Sequence, residues 1–516
     1  MQTDKSRMSE VPPAVAEHTA MLPRALMNAS GLFFLAQILA KGLNFLFFVL
    51  LTRWLSVDHF GILTFAVAIA LIVDILADLG MSRLVLREVA RRPALASRRL
   101  GLVLPLKAGL GVAIYLPVMG IVLANAPERP TIGVFAIVGV SMVIAGAALL
   151  CEQVLHALGR FGTSALAHIA LSLVQLGAAV WFHAAGGGTL WIAFALVLAN
   201  AAYLCVILLG LRAAGVRPAL RLVPKLWRTV LRRSAPYGMV GVLVIIGQRV
   251  EFLLVGQLLD INTLGQFGAA ARIYDAAMIA PLTLCTVLAP RLVAAQMQSS
   301  EAVTALYGKG VRAMLAVGMF VALLGIALAH QTVSLLLPSD YAGSGDILWI
   351  MAIGYPFTCV ALLNLSLMLG LGSQRRPTLM MAALVCVQIA IGIVACRLGG
   401  GTGAAVAMAL SAALACAVSS AAARFWVLDQ PIMARAALPA VAATVLALIL
   451  HEGLWFMDQP WRLAISAAAF VALTGAIWLM LPLAPVRIGG PDHNLRAFWH
   501  KSAGNRELCE KIDRSK

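Results

Sequence analysis

Residues 41–92 read KGLNFLFFVLLTRWLSVDHFGILTFAVAIALIVDILADLGMSRLVLREVARR. Two apolar runs sit on either side of a short polar break at Arg53 and at Ser56 to His59. Each run approaches the ~20 residues that a helix needs to cross bilayer hydrocarbon. The second run ends in a basic segment with Arg83, Arg87, Arg91 and Arg92. Apolar run, tight connection, apolar run, basic loop: this is the pattern of a membrane helical hairpin. Backbone polar groups in lipid have no water to bond, so a helix is the form such a run must take.

The rest of the chain repeats the pattern. Its 516 residues are 61% hydrophobic and 12% charged, with a mean hydropathy of +0.93. A soluble domain is about a quarter charged, so a soluble enzyme, a disordered chain and a fibrous protein are excluded. Fourteen candidate spans follow: 32–52, 60–80, 101–124, 132–151, 164–184, 189–211, 236–257, 264–289, 313–336, 346–371, 379–396, 403–423, 436–457 and 463–484. Glycine runs at Gly186–Gly188 and Gly399–Gly401 mark two of the cuts, because glycine favours turns over continued helix. The predicted fold class is all-α and polytopic, with two pseudo-symmetric six-helix lobes and two appended helices. The predicted segments are a tail at 1–31, a first lobe at 32–211, a basic linker at 212–235, a second lobe at 236–423, helices 13 and 14 within 436–484, and a tail at 485–516.

The net charge of +17 gains a meaning when it is sorted by side. If the N-terminus is cytoplasmic, 31 of the 39 Lys and Arg fall on that side. Only Arg53, Arg129, Arg397 and Arg462 fall opposite, and Lys41, Lys107, Arg249 and Arg272 lie within spans. Basic loops are retained in the cytoplasm during insertion, so both termini are predicted there. The excess is an orientation signal and not a nucleic-acid footprint. Within 212–235, Leu222, Val223, Leu226, Trp227, Val230 and Leu231 form an apolar stripe, with Arg221, Lys225, Arg228 and Arg232 mostly on the other side. Two readings stand: a helix lying against anionic membrane lipid, or a solvated basic loop.

The eight cysteines form no CxxC pair and the nine histidines have no HxxxH or HExxH spacing, so no metal is assigned. The first apolar run lacks a small-residue cleavage site and is read as a retained span. No GxxxxGK[ST] motif occurs, and no cofactor is expected.

The chain repeats internally. Leu55–Gly61 (LSVDHFG) aligns with Leu259–Gly265 (LDINTLG), Ala66 with Ala270, and Asn44 with Gln248. Repeated membrane halves commonly enclose a substrate site at their interface. An ionisable group within a span is costly and normally faces a partner or a cavity. Asp74 and Asp78 share a helix face; they suit a proton or sodium site, a counter-ion for Lys41, or, for Asp78, pairing with Arg83 or Arg87. Arg272 and Asp275 are spaced to pair on one helix, while Arg249 and Glu251 are not. Lys41 and Arg249 lie in the first helices of the two halves, near Asn44 and Gln248. Two cations facing one cleft suit an anionic cargo such as a pyrophosphate. Lys107 is read as snorkelling to the interface.

At 41–92 the chain also resembles the polysaccharide transporter (Wzx-like) family of the multidrug/oligosaccharidyl-lipid/polysaccharide exporter superfamily. The marks are Leu51-Thr52-Arg53, Leu55, Gly61, the Ala-rich second run, Asp78-Leu79-Gly80 and Arg87-Glu88, with a second match at GQLLDINTLGQFGAAARIYDA (Gly265, Ala270, Arg272). The resemblance implies a flippase, not an enzyme. Its cargo would be undecaprenyl-pyrophosphate-linked oligosaccharide, moved across the bacterial inner membrane for O-antigen, capsule or exopolysaccharide assembly. It implies alternating access around a cationic cavity, ion-gradient coupling, and a polysaccharide polymerase with chain-length machinery as partners. In these terms Lys41, Arg249, Arg272, Asn44 and Gln248 are the expected substrate-binding set, and Asp74, Asp78, Glu251 and Asp275 the expected ion-coupling set. The alternatives are a lipid II flippase or an ion-coupled drug antiporter of the same superfamily, and, less favoured by the short external loops, a glycan polymerase.

Overall fold

Among the described residues the apolar runs of the sequence become helices. The computed structural model describes residues 36–125, 129–220, 222–296, 300–370 and 375–426. The tails and the expected helices 13 and 14 lie outside the described residues. Among the described residues there are thirteen α-helices: α1 (Ala36–Trp54), α2 (Val57–Asp78), α3 (Met81–Arg91), α4 (Ala96–Asn125), α5 (Arg129–Ala157), α6 (Phe161–Ala184), α7 (Thr189–Ala213), α8 (Pro224–Leu258), α9 (Ile261–Ala277), α10 (Ile279–Gln296), α11 (Ser300–Leu336), α12 (Ser344–Gly370) and α13 (Arg375–Trp426). Eleven stretches of the described residues are long and apolar enough to cross a membrane. The last of them is bent at Gly400, whose φ of 57° and ψ of −132° are non-helical, so α13 holds two spans where the glycine run predicted a cut. The chain is a multi-pass membrane protein.

In the first half, α5 packs against α2, α3, α4 and α7, and α6 against α7. In the second, α12 lies between α11 and α13, and α13 reaches back to α8. The halves meet where α2 packs on α8 and α9, and α3 on α8. That seam is reciprocal. A Cβ on Gly61 would lie 2.6 Å from the Ile261 carbonyl oxygen, and one on Gly265 would lie 2.3 Å from the Val57 carbonyl oxygen. Gly61 with Gly265, and Val57 with Ile261, stand at the repeat offset, as does the Asn262 Nδ2 to Asp58 Oδ1 hydrogen bond (3.3 Å, 204 residues apart). A two-fold contact has this form: residue i meets j′ and j meets i′. The N-caps repeat as well. Ser56 Oγ accepts from the His59 N–H, and Asp260 Oδ2 from the Thr263 N–H. Each satisfies an amide that the first turn leaves open.

At the other end of α2 the chain turns through Leu79 (φ 37°) and Gly80 (φ 78°). Gly80 is in the left-handed region that glycine enters without strain. It lies against α8, where any Cβ would be 2.4 Å from the Gly238 nitrogen. The two halves are thus in backbone contact near both ends of α2.

Two expectations change here. The amphipathic stretch is not a separate interfacial helix, because its helical part is the start of α8, continuous with the seventh span. Four of its six stripe residues are covered by protein: Val230 is buried with Val85, Val89 and Leu100, and Val223, Trp227 and Leu231 pack on the same core. Lys225, Arg228 and Arg232 are exposed, together with Leu220, Leu222 and Leu226; Arg221 lies outside the described residues. The eighth expected span is two helices, α9 and α10, divided at Met278. At the end opposite α3, Trp54 stacks on His183, and Trp181 and Trp191 are exposed beside Phe182. Such amphipathic rings settle at the membrane–water boundary.

Candidate functional site

A cavity of about 270 Å³ is lined almost wholly by the first half. Its apolar wall includes Phe47, Phe48 and Phe60. Its polar groups are Asn44, Thr64, Asp74, Ser141, Gln175 and Asn200, with one residue from the second half, Arg272 of α9. The amides are positioned by their neighbours. Asn44 Nδ2 donates to Gln175 Oε1 (3.3 Å), and Asn200 Nδ2 donates to Ser141 Oγ (2.9 Å) and to the Leu196 carbonyl (3.0 Å). A largely apolar chamber with a few convergent polar groups is the usual form of a ligand site.

The acids of α2 are held by a residue that the sequence reading misplaced. Lys107 is 4% exposed and does not snorkel; its Nζ lies 3.0 Å from Asp78 Oδ1 and 3.4 Å from Asp74 Oδ1. The counter-ion is therefore neither Lys41 nor Arg83 nor Arg87. Lys107 stands mid-lobe on α4, where its ammonium reaches both carboxylates before it reaches water. Ser82 adds its hydroxyl and its N–H to Asp78. The site is closely fitted, since a Cβ on Gly146 would sit 2.4 Å from Asp74 Oδ1.

In the second half the expected Arg272–Asp275 pair is replaced. Asp275 Oδ2 lies 3.7 Å from Arg249 Nη1 of α8, with the two side chains 45% and 16% exposed. Across that pair Arg249 stacks over the Phe252 ring, 5.4 Å from its centroid, while its buried Nε finds no hydrogen-bond partner. Arg272 is left to line the cavity. Glu251 is not paired with Arg249, as its spacing foretold. It accepts from Gln388 Nε2 of α13 (2.7 Å), which also donates to the Gly247 carbonyl (2.7 Å). Lys41 and Gln248 are exposed and do not line the cavity. Of the sequence-predicted set the structure thus brings Asn44, Asp74 and Arg272 to one chamber, places Asp78 just behind it, and gathers Arg249 and Asp275 elsewhere. Among the described residues no group of three His, Cys, Asp or Glu side chains is arranged to hold a metal ion.

With this geometry in hand the relatives can be read. The model of the family described as "Polysaccharide biosynthesis protein" matches residues 26–298, more than half of the chain. The chain belongs to the polysaccharide biosynthesis protein family. No curated protein matches its sequence. Among solved structures it is similar to the lipid II flippase MurJ in an inward closed conformation (TM-score 0.71, 12% identity, covering 87% of this chain and 98% of that one). It is also similar to a MOP superfamily transporter from Pyrococcus furiosus (TM-score 0.58, 15% identity, 78% and 96%) and to a MATE transporter from Vibrio cholerae (TM-score 0.54, 14% identity, 80% and 99%). The fold is that of the MOP transporters. At these identities the likeness speaks for the fold alone.

Sequence reasoning assigned Lys107 to the interface and missed the Glu152 group described below. Lys107 was legible in principle, because two acids one turn apart in apolar surroundings call for a cation at the same depth.

Proposed function

We propose that this protein is a flippase for a lipid-linked oligosaccharide, carried on undecaprenyl pyrophosphate and destined for a surface polysaccharide. The end that carries α3 faces the cytoplasm, in keeping with the basic bias of the loops. One observation carries the reading: Arg272 reaches from the second half into an otherwise first-half chamber lined by amides and phenyl rings. Guanidinium grips phosphate oxygens through paired N–H donors, and amides and rings suit sugar hydroxyls and sugar faces. A ligand held by both halves is released or regripped when the halves rock about their seam, the usual form of alternating access.

Arg249, anchored by Asp275, adds positive charge beside the path of the head group. Lys41, one helical turn from Asn44, supplies it at the exposed approach. Coupling falls to the carboxylates: the Asp74–Lys107–Asp78 group, and Glu251, whose buried carboxyl is met by an amide rather than a cation. A proton or sodium ion supplies the missing charge at either place. The reaction moves cargo without making or breaking covalent bonds, so no catalytic residue is assigned.

A cation exporter is disfavoured, since it would set acids rather than Arg272 at the head-group position. The test is complementation of a flippase-null strain. Arg272→Gln and Arg249→Ala are expected to insert normally and lose surface polysaccharide, with lipid-linked oligosaccharide accumulating. Full export by both variants would overturn the reading, and rescue of a lipid II flippase deletion instead would reassign the cargo.

A further inference from the structure

A second buried ionisable group lies in the first half, away from the cargo chamber and from Lys107. Glu152 of α5 is 4% exposed at the carboxylate. It accepts from Tyr203 Oη of α7 (2.7 Å) and meets His168 Nε2 of α6 (2.9 Å). His156, one turn along α5, brings its Nε2 to 3.6 Å and is 20% exposed. This end of α5 is the basic, α3-bearing end.

We propose that Glu152 and His168 form a proton-binding site, loaded through His156 from the cytoplasmic side in the orientation given above, whose occupancy acts on the cargo chamber through α6. Three observations carry it. The first is charge. With neutral imidazoles the group holds one carboxylate, and no Lys or Arg ion-pairs with it among the described residues. One proton, shared between Glu152 Oε1 and His168 Nε2, brings the group to overall neutrality. A charge left uncompensated in an apolar interior is costly.

The second is the surroundings. His156 faces Glu152 on its own helix, His168 on α6 and Tyr203 on α7. On α4, Lys107 is already committed to Asp74 and Asp78 of α2. On α3, Arg83 and Arg87 are exposed, and Glu88 is paired with Arg99. The third is connection. His168, Ser172 and Gln175 share one face of α6, at the spacing of successive helical turns. Ser172 Oγ carries one proton and lies within hydrogen-bond reach of both the His168 carbonyl (3.1 Å) and the Ala40 carbonyl of α1 (3.2 Å), and Gln175 accepts from Asn44 of α1. Asn44 and Gln175 line the chamber. The α1–α6 contact therefore joins the proton site to the cargo site without sharing a residue with the Lys107 group.

The test uses the full chain in lipid nanodiscs and needs no cargo. Cys205, Cys386 and Cys509 are replaced by Ser, and spin labels are placed at the exposed Leu39 of α1 and Leu173 of α6. The distance distribution is then followed between about pH 5 and 8, where histidine titrates. The expected result is two populations whose ratio changes with pH, by up to about tenfold per pH unit, the limit for one coupled proton. Glu152→Gln and His168→Gln should each abolish that dependence, while His330→Gln, at an exposed histidine paired with Asp346, retains it. Glu152→Gln keeps an acceptor for Tyr203. Should Glu152→Gln fail to fold, His168→Gln reads the same quantity. A wild-type distribution indifferent to pH would overturn the proposal. So would a pH response that survives in Glu152→Gln and His168→Gln, or one lost only in His330→Gln.

Discussion

Replacing Lys107 by Met keeps the length of the side chain and removes its charge. Asp74 and Asp78 are then left one turn apart on α2 without a cation. At an effective dielectric of ~20, the two contacts at 3.4 and 3.0 Å each represent about 5 kcal/mol of gross attraction. Most of that is offset by the dehydration of three charges. The expected net loss for Lys107→Met is the ~3–5 kcal/mol typical of removing one partner of a buried pair. Neutralising the acids as well should reverse most of it. The triple variant Lys107→Met, Asp74→Asn, Asp78→Asn is expected within about 1–2 kcal/mol of the wild type, because no uncompensated charge remains. Unfolding in mixed micelles, followed by tryptophan fluorescence, measures all variants under the same conditions. A single variant within ~0.5 kcal/mol of wild type, the range of an ordinary surface substitution, would refute the reasoning. So would a triple variant no better than the single.

Other predictions follow from the seam and the caps. Gly61→Leu puts a side chain where a Cβ alone would sit 2.6 Å from the Ile261 carbonyl oxygen, and backbone cannot yield as a side-chain tip can. In this background a cysteine pair at Asp58 and Asn262, hydrogen-bonded in the wild type, should lose its ability to form a disulfide. Asp260→Ala should cost about 1 kcal/mol as a lost N-cap, measured by the same unfolding assay. Hydrogen bonds from Thr263 hold the Asp260 carboxyl below the usual carboxylate range. Its folded value is depressed, so the cap's contribution is present above about pH 4 and is lost as pH falls through the folded value. Gln388→Leu removes the amide on Glu251; the stranded carboxyl should cost about 1–3 kcal/mol, and Glu251→Gln in the same chain should recover most of it.

The helices were legible because each apolar run has one stable form in lipid. The repeat was legible because Gly61 and Gly265 must both be small at a reciprocal contact, and Ser56 and Asp260 must both cap. Glu251 was correctly denied Arg249, since residues two apart on a helix face different ways. The partners that lie across helices were not legible. Asp275 is spaced for Arg272, yet α8 brings Arg249 nearer to it. Lys107 and Asp74 are far apart in sequence, and only the packing of α4 on α2 and α5 joins them. Glu152 and His156 were read into a loop because the apolar run ends at Cys151; the structure carries α5 on to Ala157 and buries the acid against α6 and α7. Periodicity locates faces, and tertiary packing decides which faces meet.

The central claim is most directly tested by translocation. The purified chain is placed in vesicles that bear an undecaprenyl-pyrophosphate oligosaccharide in the outer leaflet, and a glycosidase added outside reports the fraction still accessible. The wild type should render the cargo inaccessible at a rate that Arg272→Gln lowers by at least about tenfold, the equivalent of 1.4 kcal/mol. Wild-type vesicles that leave all the oligosaccharide accessible, or an Arg272→Gln variant as fast as the wild type, would contradict it.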